Sequence, residues 1–233
     1  MKITTVGIDL AKNIFAVHGV NEHGRTVLKK ILKRDQVAAF FANLPACVIG
    51  MEACASAHHW ARKLQGMGHT VRLIAPQFVK PYVKTNKNDA ADAEAICEAV
   101  ARPNMRFVPV KNIEQQSVLS LHRVRQGFVR ARTAQANQIR GLLSEHGIVI
   151  ARDISRLRRA LAEIAGNSGD DLNDLVRMLI REVQVELIEL DRRIAFYDRQ
   201  VRELYRNSEL CQRLGKIEGI GPVTATALIA AVG

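Results

Sequence analysis

"ITTVGIDLAKNIFAVHGVNEHGRTVLKKIL", residues 3–32, carries three short apolar-rich runs separated by turn-forming residues. Residues 3–10 (ITTVGIDL), 14–20 (IFAVHGV) and 26–32 (TVLKKIL) have the β-branched content and bounded lengths of strands. The links are short, and Asn21-Glu22-His23-Gly24 has turn chemistry, so the three runs predict an antiparallel meander. The pattern then changes. Residues 36–44 (QVAAFFANL) have helical spacing, 47–51 (CVIGM) read as a short buried strand, and 57–66 read as a helix closed by Gly66 and Gly68. Residues 70–75 (TVRLIA) give a further strand, ended by Pro76. Three antiparallel strands followed by alternating helix and strand predict a mixed sheet covered by helices.

That order of elements is the one seen in ribonuclease-H-like domains, and it predicts an α/β unit over residues 1–110. After Pro103 and Pro109 the chain turns all-α. Residues 114–146 form one uninterrupted helical pattern. Residues 170–207 form another, with Leu172, Val176, Leu179, Val183, Leu187, Leu190, Ile194, Val201 and Leu204 recurring at steps of three or four. At 1.5 Å per residue the second would extend about 55 Å, so it needs another helix to pack against. A long antiparallel coiled-coil hairpin over residues 111–210 is the simplest arrangement, joined through the Arg-rich stretch 152–159 and the Gly166-Asn167-Ser168-Gly169 break. Residues 213–233, "RLGKIEGIGPVTATALIAAVG", read as helix, Gly-Ile-Gly turn and helix, a helix-hairpin-helix-like end over 211–233.

The chain of 233 residues has a formal net charge of +11 and a pI near 9.9. The excess comes mainly from arginine, whose planar fork of donors suits phosphate, so a polyanionic partner is expected. Cys47, Cys54, Cys97 and Cys211 are scattered without a CxxC pair, as expected of a reduced cytoplasmic protein. No run approaches the roughly 20 apolar residues of a membrane span, and residues 1–3 begin a strand pattern instead of a signal peptide, so no membrane partner is expected.

Four acids stand at informative places. Asp9 lies near the end of the first strand and Glu52 just after the short buried strand "CVIGM". Asp89 and Asp92, in "KNDAADAEAI", share one face at the mouth of a helix. Adjacent strands would bring the first two together, and the helix would add the second pair. Such a quartet repels itself unless divalent cations neutralise it; Mg²⁺, with Mn²⁺ as a substitute, would also suit phosphoryl transfer. Read singly, Asp89 and Asp92 equally suit first-turn acids that cap a helix, Asp9 a polar strand end, and Glu52 a helix start.

Basic residues supply the second theme. Lys80, Lys84 and Lys87 lie beside the acids and read either as phosphate contacts or as solvated lysines. Arg123, Arg125, Arg130, Arg132 and Arg140 are dispersed around the first long helix, so some are expected on nucleic acid and others on acids of the second long helix. Gly219 and Gly221 allow a tight turn whose amides suit a phosphate, or else a plain αα-hairpin. Cys54, His58 and His59 have one helical spacing suited to zinc, but no second ligand pair accompanies them.

"VGIDLAKNIFAVHGV", "GMEACASAHHWARKL", "APQFVKPYVKTNKNDAADAEAICEAV" and "LHRVRQGFVRARTAQANQIRGLLSEHGI" together resemble the DEDD-type insertion-sequence transposases, the group that includes the pilin-gene-inverting recombinases. The likeness runs through essentially the whole chain with the motifs in order. It implies a RuvC-like fold for the first unit and puts the family's metal-binding acids on Asp9, Glu52, Asp89 and Asp92. It implies a DNA substrate that is cut and rejoined, a noncoding guide RNA, and a homo-oligomer (dimer or tetramer) assembled through the coiled coil. It also implies a prokaryotic cytoplasmic, nucleoid-associated location. In the family a serine nucleophile comes from a Ser-rich motif downstream of the Gly-Ile-Gly turn. Neither Ser168 nor Ser208 lies in such a motif, so a chain truncated within the carboxy-terminal transposase domain is expected. "VGIDLAK" also resembles the first phosphate-binding strand of actin-like ATPases, though the later nucleotide motifs of that group are missing. A non-catalytic nucleic-acid-binding or assembly module is the third reading.

Overall fold

The computed structural model describes residues 2–83, 88–166 and 172–232. They fall into two units divided after Asn112.

In the first unit the expected meander forms as β1 (Thr5–Leu10), β2 (Ile14–Val20) and β3 (Thr26–Lys33). β1 and β2 pair antiparallel from Thr5 opposite Val20 to Leu10 opposite Phe15. The second turn is built as its sequence suggests. The Asn21 side-chain oxygen accepts from the amides of His23 at 3.0 Å and Arg25 at 2.9 Å, and Gly24 takes the left-handed conformation at φ 72°. β4 (Val48–Glu52) lies parallel to β1 on its other side, and β5 (Thr70–Ile74) lies parallel to β4. A two-residue β6 (Phe107–Val108), too short to leave a sequence pattern, closes the edge antiparallel to β5. The six-stranded order is β3-β2-β1-β4-β5-β6.

Strand alternation splits the apolar residues between two faces. Val6, Ile8, Phe15, Val17, Ile49, Met51, Val71 and Leu73 form one core with α1 (Gln36–Ala42) and α2 (Ala57–Gln65), centred on Phe41, Trp60 and Leu64. On the other face lie α3 (Pro76–Val79), a 3-10 turn (Lys80–Tyr82) and α4 (Asp89–Val100), whose Ala95, Ile96, Ala99 and Val100 bury with Ile74 and Val79. α4 sits unusually close to the sheet because two glycines face each other in register, Gly7 on β1 and Gly50 on β4. A side chain at Gly7 would overlap the Ala93 carbonyl oxygen and the Cys97 backbone; one at Gly50 would lie 2.8 Å from the Val100 Cβ. These contacts also set the direction of α4, with its first turn toward the carboxyl ends of β1 and β4.

The second unit is all-helical. α5 (Ile113–Ser144) and α7 (Asp174–Arg206) run antiparallel: Arg125 meets Asp198, Phe128 stacks on Tyr197 with ring centroids 5.5 Å apart, and Arg132 meets Asp191 at 3.2 Å. Two expectations are corrected. The Arg-rich stretch 152–159 is not a simple connector; residues from Ile154 form α6 (Ile154–Gly166), whose Leu157, Leu161 and Ile164 pack with Ala136, Ile139, Leu143, Ile180 and Leu187. The arginines hid a helical apolar period of four and three. The second long helix starts at Asp174, later than the expected residue 170, because Asn173 takes the capping position and accepts from the Val176 amide at 2.9 Å. Of the expected Gly166-Asn167-Ser168-Gly169 break, residues 167–169 lie outside the described residues. α8 (Glu209–Leu214) and α9 (Pro222–Val232), the two helices expected near the end, pack within this unit; α9 contacts α5, α7 and α8. Among the described residues no helix is long and apolar enough to cross a membrane.

Candidate acidic site and nucleic-acid surfaces

β1 and β4 are parallel neighbours, and their pairing ends with Ile8 opposite Met51. The next residues along each strand are Asp9 and Glu52. Both follow the parity of Gly7 and Gly50, so both belong to the face covered by α4. The fold thus delivers two carboxylates side by side at the carboxyl ends of parallel strands, where open α/β sheets leave a crevice.

The other two arrive on α4. Asn88 is its N-cap, and its side-chain oxygen accepts from the Ala91 amide at 2.8 Å. Capping by Asn88 releases Asp89 and Asp92 from that duty, although both remain in the first turn, where the helix dipole favours negative charge. A cavity of about 770 Å³ is lined by Asp9, Glu52, Asp89 and Asp92 together with Pro76, Lys80 and Val83. The last three come from the segment after β5, so the walls of the cavity are four separate pieces of chain. Lys84 and Lys87 lie outside the described residues.

Cys54 reports on the charge at this spot. Its thiol is pushed up from its ordinary value first by burial and then by the charges of Glu52 and Asp9. Both carboxylates therefore act on one sulfur. The four acids line the cavity wall without closing on a point: among the described residues, no three His, Cys, Asp or Glu side chains are grouped tightly enough to hold a metal ion as they stand. The same holds for the zinc spacing on α2, where the His58 ring instead accepts from the Lys111 amide at 3.1 Å. The loop between β4 and α2 is strained at Ser56, which has φ 68°.

The arginines of α5 separate into groups. Arg125 bonds Asp198, and Arg132 bonds Asp191, which also receives Arg158. These two arginines join α5 to α7, as the sequence expected of part of the set. Arg140 donates to the carbonyls of Ala151 at 3.2 Å and Arg152 at 2.8 Å, tying α5 to the segment before α6. Arg123 and Arg130 are exposed and, among the described residues, make no ion pair. Gly219 is left-handed at φ 82° in the turn between α8 and α9, with Gly221 directly before α9. Ser208 caps α8, accepting from the Cys211 amide at 3.3 Å.

The family profile of the IS110-type DEDD elements, described as "Transposase", matches residues 6–148. The chain is 52% identical over 234 residues to a probable family 20 transposase of Pseudomonas aeruginosa, covering 100% of this chain and 69% of that protein. It is 44% identical over 228 residues to a putative transposase of Sinorhizobium fredii, covering 98% of this chain and 58% of the relative. Against the transposase for insertion sequence element IS1111A of Coxiella burnetii it is 40% identical over 231 residues, covering 99% and 64%. The chain thus spans between 58% and 69% of the lengths of these relatives. With the profile covering most of the chain and identities this high along all of it, the protein belongs to the IS110-type DEDD transposase family.

Proposed function

We propose that the acidic cavity is the divalent-metal centre of a transposase or site-specific recombinase that cuts and rejoins DNA. One observation carries the reading: Asp9, Glu52 and the Asp89/Asp92 pair, from three distant places in the sequence, line a single cavity at the carboxyl ends of two parallel strands. The donor set fits. All four are hard oxygen ligands without histidine or thiolate, the preference of Mg²⁺ and Mn²⁺. Asp9 and Glu52 would hold the cation from the sheet, and Asp89 and Asp92 from α4. When bound, the cation would stabilise charge developing on the attacking and leaving oxygens of a phosphodiester.

The chain's own residues supply positioning. The sheet fixes Asp9 and Glu52, and the glycine-permitted approach of α4 fixes the second pair relative to the first. Lys80 offers a cation in the same cavity for a phosphate oxygen. The fold serving this chemistry is RuvC-like, as the mixed sheet order supports. Arg123 and Arg130, exposed on α5 and without an ion pair among the described residues, suit the backbone of a guide RNA or of DNA. Leu175, Met178, Val185, Ile188 and Phe196 are exposed along α7, and this apolar face favours a homo-oligomer packed through the long helices as a coiled coil. Such an enzyme would work in the prokaryotic cytoplasm, on the nucleoid.

Calorimetric titration of the chain with MnCl₂ tests the reading. Saturable binding that is lost in both Asp9→Asn and Asp89→Asn is the expected result. Binding that survives both substitutions would refute the assignment.

A further inference from the structure

At the same end of the sheet as Asp9 and Glu52, but on the opposite face, the chain forms a second cavity of about 660 Å³. Its walls come from three segments: Asn13 and Ile14 where β2 begins, Lys33, Arg34 and Asp35 where β3 ends, and His59, Trp60 and Lys63 on α2. The antiparallel register explains the meeting, because Ile14 lies opposite Lys33 and both are at the end of the sheet where β1 delivers Asp9.

Positive charge is in excess in this groove. Lys33, Arg34 and Lys63 are exposed, and among the described residues none of them forms an ion pair; Asp35 is the single acid among the lining residues. Arg34 is nonetheless held in place. Its guanidinium lies 5.6 Å from the centre of the Phe15 ring and 5.5 Å from that of Trp60, and it donates to the Lys12 carbonyl at 3.3 Å. Lys63 sits over the Trp60 ring at 5.2 Å. A guanidinium anchored by one carbonyl and two rings keeps most of its five N–H donors for something else. Preorganised arginine with flanking lysines and no carboxylate partner is the chemistry of a phosphodiester site.

We infer that this Lys33–Arg34–Lys63 groove grips the phosphate backbone of the DNA strand being processed at the acidic cavity. The inference rests on that cavity being the reaction centre. β3 is two strand spacings from β1, about 10 Å along the sheet end, so a backbone that wraps over this end from one face to the other passes both sites. DNA is favoured over RNA because the groove lies at the same end of the sheet as the acidic cavity, where the proposed reaction on DNA would take place.

The groove carries its own reporter, since Trp60 is the only tryptophan in the chain. The full chain is titrated with a 30-base-pair DNA duplex, then with a single-stranded RNA of equal length. Binding is followed by Trp60 fluorescence and by the anisotropy of a label on the nucleic acid. For the double variant Arg34→Gln/Lys63→Gln, DNA affinity is expected to fall about tenfold or more, and the slope of log affinity against log salt to lessen by about two. Lys33→Gln, at an exposed side chain with no role in the core, is expected to reduce the slope by about one. Lys2→Gln, distant from the groove, is the control and leaves both unchanged. Unaltered affinity and slope in the double variant overturn the inference, as does a loss confined to RNA. Loss of DNA binding with no Mn²⁺ binding in the parent chain refutes the metal centre while sustaining a DNA groove. Mn²⁺ binding with unaltered DNA binding in the variants does the reverse.

Discussion

Replacing Gly7 with alanine would drive a methyl group into the Ala93 carbonyl oxygen and the backbone of Cys97. Overfilling a packed interior costs about 1–3 kcal/mol when neighbouring side chains can adjust. Here the obstacle is the main chain of α4, so the upper end applies, about 3 kcal/mol or roughly a hundredfold in the folding equilibrium. With a urea dependence of about 2 kcal/mol per molar, the midpoint should fall by about 1.5 M. Trp60 fluorescence reads the transition of the first unit alone. Gly50→Ala should cost less, about 1–2 kcal/mol, because the methyl meets the Val100 side chain at 2.8 Å instead of backbone. Gly127→Ala, inside α5 with open space around it, should stabilise the second unit by about 0.5–1 kcal/mol, read by circular dichroism. The same push should weaken Mn²⁺ binding in Gly7→Ala, because α4 carries Asp89 and Asp92. A Gly7→Ala midpoint indistinguishable from the parent would refute the close approach of α4 and the placement of both acids with it.

Further outcomes follow from the local geometry. Asn88→Ala removes the side-chain acceptor for the Ala91 amide and should destabilise the first unit by about 1 kcal/mol in the same urea experiment, while Asn88→Asp should retain most of the stability. Ser56→Gly relieves a left-handed backbone at φ 68° and should raise stability by about 0.5–1 kcal/mol; a loss would mean the side chain does more than tolerate the turn. Burial, Glu52 and Asp9 hold the Cys54 thiol above its ordinary value, so at a given pH less of it is thiolate. Glu52→Gln or Asp9→Asn should therefore shift the pH dependence of Cys54 alkylation, followed by mass spectrometry, to lower pH. An unshifted profile in both variants would place those carboxylates away from the sulfur.

Much of the first unit could be read from its residues because local pattern and final environment agree. The meander followed from three short β-branched runs and from the Asn21–Gly24 turn, and the short run ending at Met51 was a strand, extended by one residue to Glu52. The adjacency of Asp9 and Glu52 needed one thing more, the parallel pairing of β1 with β4, which no local signal states. β6 was missed because two residues hold no periodicity, and α6 because its arginines masked Leu157, Leu161 and Ile164. The arginines of α5 could be named but not sorted: only the register with α7 decides that Arg125 and Arg132 meet Asp198 and Asp191 while Arg123 and Arg130 stay exposed. The basic groove left no motif at all, since Lys33, Arg34 and Lys63 come together only through the crossing of β3 and α2 at one end of the sheet.

Anomalous diffraction from crystals of the chain grown with MnCl₂ addresses the metal centre most directly. The account predicts a manganese peak in the cavity between β1, β4 and α4, within about 2–2.5 Å of carboxylate oxygens from Asp9 or Glu52 and from Asp89 or Asp92. A map with no peak there at saturating Mn²⁺, or with manganese held only by acids elsewhere on the surface, would contradict it.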